Sequence, residues 1–299
     1  MSATVELVST PAPVTPFRES RTRDTRTFAR NHPVATFGVV LLAVFVLVAI
    51  FAPQIAPQDP FAQNVSQQFR EPSGSHWFGT DTFGRDVFSR VVYGSRISLF
   101  VGLLSVLAAT TIGTVLGVVS AYASGLFDLL FQRLVDALLG FPSIVFLMVL
   151  VVALGASLLN VTLATAVIFT PLMIRVSRGA ALSVIEEPYV LAAKAIGASQ
   201  ARVALLHVLP NSLAPVVAVA ANLMGAAVVA EAGLSFLGLG VPPPAPSWGS
   251  MLNEASRGGN FETATWLAIY PGLVLGALVF SFMFIGDGIR DALDPRLRK

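Results

Sequence analysis

Six long runs of apolar residues, separated by polar segments, divide this 299-residue chain. Most of the runs reach or approach the roughly 20 residues that a helix needs to cross a bilayer. Inside a bilayer no water is present to hydrogen-bond the backbone, so each run must satisfy its own N–H and C=O groups as a helix. The runs cover residues 34–54, 97–122, 138–154, 158–173, 213–233 and 266–285. The pattern therefore predicts an all-α membrane protein with six transmembrane helices.

The composition agrees with this pattern. Hydrophobic residues make up 55% of the chain and charged residues 12%, with a mean hydropathy of +0.75, outside the range of ordinary soluble domains. The ionisable residues sit near the ends of the runs, whereas carriers coupled to protons or sodium usually need them at membrane depth. Cysteine is absent, so no disulfide or thiolate metal site is possible.

The basic residues predict how the chain is oriented. If both termini are cytoplasmic, fourteen Lys and Arg residues lie on that side and five on the other. This excess matches the positive-inside rule. Residues 1–33 are polar and rich in Arg and Pro, which predicts a disordered cytoplasmic tail. The first apolar run begins too late and is too long for a signal peptide.

The segment 187–210 is too short and too polar to cross the membrane. Its first helix, residues 188–196, would rise only about 14 Å, against about 30 Å of hydrocarbon. Pro188 suits a first helical turn, Gly197 suits a left-handed helix end, and Ser199 suits the start of a second helix that must end by Pro210. The segment predicts a helix–Gly–helix unit beside the membrane. Taken alone, an amphipathic helix lying on the lipid surface is the alternative.

Glycines and prolines inside the runs predict how the helices pack. Gly113 and Gly117, and likewise Gly272 and Gly276, form GxxxG pairs that permit close helix crossings. These pairs support a packed helical bundle without identifying its function. Two prolines, Pro142 and Pro171, predict bends or ends of the helices that contain them.

The loop between the first two runs predicts a structural role. Gly79 and Gly84 permit turns, while Asp81, Arg85 and Asp86 are close enough in sequence to pair. No His–carboxylate spacing suggests a metal, and no Ser has a base nearby, so we expect neither a metal site nor catalytic residues. Five aromatic side chains are expected at the membrane interface: Trp77, Phe78, Phe83, Phe88 and, after the fifth run, Trp248.

Four sequence patterns carry a resemblance to a known family. GTDTFGRDVFSRVVYGSRISL begins at Gly79, EAGLSFLGLG begins at Glu231, and GDGIRDALDPR begins at Gly286. Ala192-Ala193, Gly197 and Leu209-Pro210 resemble the cytoplasmic EAA loop of ABC importer permeases, with Leu191 where the family name implies Glu. The chain is similar, over about residues 75–298, to the subunit of dipeptide, oligopeptide and nickel ABC importers that has the GTDxxGRD external loop.

The resemblance implies a type I ABC importer permease fold with a cytoplasmic coupling helix. The first transmembrane helix and external loop would occupy residues 34–96, and a permease core with five transmembrane helices residues 97–299. The coupling loop would be 187–210. The family pattern implies ATPase-coupling contacts at Tyr189, Ala192, Ala193, Gly197, Ala198, Leu209 and Pro210. It implies structural positions in the external loop at Gly79, Asp81, Gly84, Arg85 and Asp86, and an external mouth at Gly238, Gly240 and Trp248.

The energy source must lie outside this chain. A Walker A motif needs Gly-Lys followed by Ser or Thr, and the only lysines, Lys194 and Lys299, do not follow a Gly. We therefore expect no cofactor in this chain. The resemblance implies that ATP and Mg are bound by two separate ATP-binding subunits. It also implies a second homologous permease subunit, an external substrate-binding protein and surrounding membrane lipid, with no role for nucleic acid.

The expected function is import of di- or oligopeptides across a bacterial or archaeal cytoplasmic membrane. The alternative within the class is the same machinery for nickel chelates, glutathione or another small solute. Two other classes are an independent channel or carrier, and a membrane scaffold without a transport role. The coupling loop and the lack of charge at membrane depth disfavour the channel or carrier, and a scaffold would have no need for a glycine-hinged cytoplasmic docking unit. A membrane enzyme is disfavoured because no nucleophile–base or metal-ligand set is present.

Overall fold

The computed structural model describes residues 32–257 and 260–293, and helices dominate this part of the chain. The N-terminal tail expected to be disordered lies outside the described residues up to position 31, as do residues 294–299. The helices are α1 Pro33–Ile50, α2 Ala52–Ile55, α3 Val87–Ala123, α4 Gly125–Leu139, α5 Ser143–Leu154, α6 Leu158–Ile185, α7 Pro188–Ala195, α8 Gln200–Val203, α9 Leu209–Phe236, α10 Trp248–Ser256, α11 Asn260–Thr263 and α12 Trp266–Leu293. A 3₁₀ turn, Val65–Gln67, and a π turn, Ala204–Val208, complete the set.

Among the described residues, five helical segments are long and apolar enough to span a membrane: α1, α3, α6, Gln200–Phe236 and α12. A sixth span exists only if α4 and α5, which meet at 91°, count as one broken span. The third predicted run, 138–154, is therefore not one straight helix. Pro142 lacks an N–H and disfavours helical geometry at the residue before it, so the chain breaks after Gly140 and helix α5 starts at Ser143.

Two other predicted runs are parts of longer helices. The run 97–122 begins ten residues earlier, at Val87, because the Asp86 carboxylate accepts hydrogen bonds from the backbone N–H (2.8 Å) and the hydroxyl (2.7 Å) of Ser89. At 37 residues, α3 is about 55 Å long, so it projects beyond the hydrocarbon. The run 158–173 continues to Ile185, and Pro171 does not end it.

The first GxxxG pair makes the predicted close helix crossing. A Cβ atom on Gly113 would lie 2.5 Å from Cβ of Met173, and one on Gly117 would lie 2.6 Å from the carbonyl oxygen of Ile174. Only glycine lets α3 and α6 approach this closely. The second pair differs, because the nearest atom to a Cβ on Gly272 is 3.9 Å away and nothing lies within 4 Å of one on Gly276. Among the described residues, that pair makes no comparably close helix crossing.

Helix α3 is the axis of the bundle. In the described part of the chain the buried apolar residues form four clusters, and α3 contributes to each in turn along its length. Val87 and Val91 lie in the first cluster, with Trp248, and Val118 and Ala121 lie in the last. The two regions singled out by the sequence, the 187–210 loop and the loop after α2, therefore lie at opposite ends of α3.

Candidate functional site

The glycine of the 187–210 loop ends α7 in a two-bond helix cap. Gly197 has φ +87°, its N–H donates to Lys194 O (3.0 Å), and the N–H of Ala198 donates to Ala193 O (3.1 Å). These two bonds form a Schellman motif, which satisfies carbonyls that a helix end would otherwise leave free. Glycine suits this position because left-handed geometry costs other residues about 1 kcal/mol or more. The predicted glycine turn is confirmed.

The second helix of this loop does not end at Pro210. Ser199 caps α8, as predicted, by accepting a hydrogen bond from the N–H of Arg202. The chain then widens into the π turn, where the N–H of Leu209 donates to Ala204 O, and continues directly into α9. Pro210 occupies the first turn of α9, where its missing N–H does least harm. The loop is thus joined rigidly to a membrane-spanning helix.

One face of the 187–210 loop packs on the bundle. Val190, Val203 and Val208 are fully buried in an apolar cluster with residues of α3 and α6. Three of the predicted contact residues, Ala193, Ala198 and Leu209, pack against this same cluster. The structure therefore places these three half-buried residues towards the bundle, and their contact with an ATPase stays a prediction.

The opposite face of the loop is apolar and exposed. Tyr189 and Ala192, both predicted, lie on it together with Leu191 and Ile196, the last of which is 87% exposed. The exposed side chain of Ile196 was not predicted, and Leu191 was noted only as a departure from the family pattern. Leu191 lies about 100° around α7 from the buried Val190, so its side chain is off the packed face.

The opposite end of α3 carries a second ordered region, which we call the loop cap (residues 56–86 and α10). Four charged side chains hold it together. Arg85 donates from Nε to Asp81 Oδ2 (2.6 Å) and from Nη2 to both carboxylate oxygens of Glu254 (3.0 and 2.8 Å). Arg90 lies 3.4 Å from Asp81 and 3.7 Å from Glu254. Both Arg side chains and Asp81 are buried. The predicted pairing of Asp81 with Arg85 is confirmed, whereas Arg90 and Glu254 were missed.

Asp86 does not join this charged cluster. One of its carboxylate oxygens caps α3, and the other lies 3.0 Å from Nδ1 of His76. Both side chains are buried. The prediction that Asp86 pairs with Arg85 is therefore corrected: an aspartate that caps a helix points along that helix and away from the preceding residue's side chain.

Tight turns place these side chains. Gly79 and Gly84 have φ of +74° and +70°, as their predicted turns require. A Cβ on Gly84 would collide with the backbone of Asn64. Between the two glycines, Asp81 Oδ1 accepts a hydrogen bond from the N–H of Arg85 (3.0 Å). The turn thus holds the Asp81 carboxylate in place, so that its other oxygen, Oδ2, can pair with the Arg85 guanidinium.

Two tryptophans fasten the loop cap to the helices. Trp248 is fully buried, its Nε1 donates to Val91 O (2.9 Å), and its ring lies against Gly94. The prediction that Trp248 lies at the membrane interface is wrong, because the glycine leaves space on α3 that the ring fills. Trp266 donates in the same way to Thr80 O (3.2 Å).

The other aromatic side chains divide into two groups. Phe78 stacks on Tyr270, with 3.8 Å between the ring centroids, and Phe88 packs edge-on against Phe78. Phe78 and Phe88 are half-buried between protein elements, and their place at the membrane interface stays a prediction. Trp77 and Phe83 are exposed, as that prediction requires.

The turn between α9 and α10 gives the expected external mouth its shape. Gly238 has φ +83°, and a Cβ on Gly240 would overlap the side chain of Ser235. The chain then enters α10 through a capping box, in which the N–H of Ser250 donates to Ser247 Oγ (3.2 Å) and the N–H of Ser247 to Ser250 Oγ (3.3 Å). Both glycines are thus required for the turn, and the mouth role is an expectation that rests on the family pattern.

Two family models match this chain. One is described as a binding-protein-dependent transport system inner membrane component and matches residues 113–299. The other is described as the N-terminal TM domain of oligopeptide transport permease C and matches residues 20–72.

Curated proteins of several bacteria are similar to the whole chain. The dipeptide transport system permease protein DppC of Alkalihalophilus pseudofirmus is 40% identical over 95% of this chain and 91% of its own length. The glutathione transport system permease protein GsiD of Pectobacterium atrosepticum is 37% identical over 100% and 97%. The probable D,D-dipeptide transport system permease protein DdpC of Escherichia coli is 38% identical over 89% of each chain.

Among solved structures, a chain of the MetNI methionine ABC transporter in an inward-facing conformation has a similar fold. The TM-score is 0.56 at 19% sequence identity, covering 69% of this chain and 96% of that one. At this identity the likeness concerns the fold alone. The helical architecture described above is therefore also found in a solved membrane protein.

Proposed function

This chain belongs to the family of binding-protein-dependent transport system inner membrane components, and on that premise we propose that it is the permease subunit of an ATP-driven ABC importer for di- or oligopeptides. Two of the relatives described above carry names that refer to dipeptides, and one to glutathione, itself a tripeptide. A substrate with peptide bonds is common to all three. Glutathione import is therefore the second candidate.

The exposed apolar face of the 187–210 loop carries the proposal most directly. Leu191 and Ile196 are exposed on a helix too short to enter the bilayer. Exposed apolar residues on an ordered helix mark a protein or membrane contact. In the proposal this face docks on an ATP-binding subunit in the cytoplasm. Fourteen of the nineteen basic residues lie on the same side of the membrane in the predicted topology.

The turns within the 187–210 loop suggest how ATP-driven closure of the ATP-binding subunits would move the bundle. The Schellman cap at Gly197 and the π turn make α7, α8 and α9 mechanically continuous. A push on α7 then displaces α9, which spans the membrane, and tilts the bundle from inward-facing to outward-facing. Substrate passes between this chain and a second homologous permease. An external binding protein delivers the substrate, and ATP with Mg is bound by two partner subunits.

Reconstitution tests the proposal. The chain would be co-expressed with the products of its neighbouring genes, purified through a C-terminal tag, and placed in proteoliposomes with the binding protein. We expect a second permease and ATP-binding subunits to co-purify, and labelled dipeptide to accumulate only when ATP is supplied. Faster uptake of glutathione than of dipeptides would favour the second candidate. A stable complex without an ATPase would contradict the proposal and favour a carrier or a scaffold.

A further inference from the structure

One face of α9 forms the floor of a cleft of about 740 Å³. The floor residues are Asn222, Gly225, Ala226, Val229, Ala230 and Gly233. Their spacing of three and four residues puts them in a single stripe about 16 Å long. Four of the six are Gly or Ala, so the cleft is wide where an ordinary helix would fill it. Its volume lies in the range of small-molecule sites.

Other helices build the walls of the cleft. Val279, Met283 and Asp287 follow each other at four-residue spacing on α12 and form one wall. Ile144 on α5 and Phe169 on α6 belong to the opposite side. Helix α5 reaches this position because the chain breaks at Pro142. These walls and the floor are apolar over most of their surface.

Two polar side chains lie together at one end of the cleft. Asp287 and Asn222 both line it and are exposed to it. They are at the same level, because the backbone at Gly286 packs directly on the side chain of Asn222. This end is the one nearer to the 187–210 loop, since α9 begins at Leu209 and α12 ends at Leu293.

The carboxylate of Asp287 is exposed at the cleft, where a cation can reach it. The ion pairs of the described residues do not include it. A carboxylate beside apolar walls in a membrane protein is stable only when water or a cation reaches it. At neutral pH the free end of a peptide carries an ammonium group, whose ordinary pKa is about 8. Asn222 adds an amide that can both donate to and accept from a peptide bond.

We propose that Asp287 and Asn222 form a contact point for the ammonium end of a peptide as it leaves through the α9 cleft. The inference rests on the proposed function, since it assumes that this cleft is part of the import pathway. Asp287 attracts the cation, and Asn222 bonds to the adjacent peptide group. The small residues of the floor leave room for side chains of different sizes, so the contact selects for the charged end and tolerates the rest.

The absence of cysteine from the chain permits a direct test. In the reconstituted complex, Asn222→Cys and Met283→Cys would each be reacted with a cationic and an anionic methanethiosulfonate. Leu273→Cys, on α12 but outside the cleft lining and 66% exposed, is the lipid-facing control. We expect both cleft positions to react faster than the control. Adding Asp287→Asn should lower the cationic rate and raise the anionic rate about fivefold each, the effect of one charge a few Å away in water, so their ratio should fall about 25-fold. Asp291→Asn, one turn further along α12, should not change the ratio.

Protection by substrate tests the ammonium contact itself. A dipeptide should slow labelling of Met283→Cys more than its N-acetyl derivative does at the same concentration. In the Asp287→Asn background the two should protect equally. The inference is overturned if Asp287→Asn changes neither the ratio of cationic to anionic labelling rates nor the difference in protection between the dipeptide and its N-acetyl derivative. This holds even if the wild-type complex imports dipeptides. If the two cleft cysteines are labelled as slowly as the control, the inference is also overturned, because lipid or protein would then fill the cleft. Failure of the proposed function itself would appear separately, as absence of ATP-driven uptake by the wild type.

Discussion

The loop cap and the 187–210 loop lie at opposite ends of α3 and are held in different ways. In addition to an apolar cluster around Trp248, the loop cap is fastened by directional contacts: the charged cluster of Arg85 and Glu254, and the indole hydrogen bond of Trp248. The 187–210 loop packs on the bundle through an apolar cluster that includes Val190 and Val203. The hydrogen bonds at Gly197, Ala198 and Ser199 close turns within the loop itself.

This difference has a mechanical consequence. A hydrogen bond or ion pair weakens steeply when its geometry changes, whereas apolar contact is non-directional. The 187–210 loop is therefore stiff inside, because of its Schellman cap, and yet tolerant of small displacements on the bundle. The loop cap resists both internal deformation and displacement on the bundle. In an importer the loop cap would hold a fixed shape for the binding protein, and the 187–210 loop would transmit movement.

The largest effect should come from breaking the charged cluster. Arg85→Ala leaves the carboxylates of Asp81 and Glu254 with Arg90 alone, so we expect the free energy of unfolding to fall by about 3–5 kcal/mol. Thermal unfolding of the detergent-solubilised protein measures this. Arg257→Ala removes an exposed arginine just beyond α10 and should change the unfolding temperature little. Equal unfolding temperatures for the two variants would mean that the cluster does not fasten the loop cap.

A smaller effect should distinguish the two faces of the 187–210 loop. Ala193→Glu puts a carboxylate against the apolar cluster, and we expect it to lower stability by about 2 kcal/mol. Ala192→Glu puts the same side chain on the exposed face. It should leave the unfolding temperature unchanged but reduce ATP-driven uptake at least tenfold while ATP hydrolysis continues. Normal uptake by Ala192→Glu would remove this face from the coupling contact.

The smallest effect compares two glycines with the same backbone geometry. Gly197 and Gly238 have φ of +87° and +83°, and a Cβ on either would meet nothing within 4 Å. Gly197→Ala and Gly238→Ala should each cost about 1 kcal/mol of stability, from backbone strain alone. If the 187–210 loop transmits movement, only Gly197→Ala should also lower the uptake per ATP hydrolysed. An equal loss of coupling in both variants would contradict the proposed division of roles.

The sequence predicted those features that depend on neighbouring residues. The apolar runs predicted the membrane helices, because length and composition decide whether a segment can span hydrocarbon. Gly197 predicted its turn, because left-handed geometry favours glycine wherever it occurs. Asp81 and Arg85, four residues apart, were expected to pair and do so.

The tertiary structure alone decided which faces and which distant residues meet. Glu254 joins Arg85 across 169 positions of sequence, and Trp248 reaches Val91 across 157. Whether Ala192 or Ala193 faces outward follows from where α7 docks on α3 and α6. Spans as uniformly apolar as these carry little periodicity to show which side faces lipid, a partner or a cleft. Local sequence therefore determined the helices and turns of this protein, and long-range packing determined its surfaces.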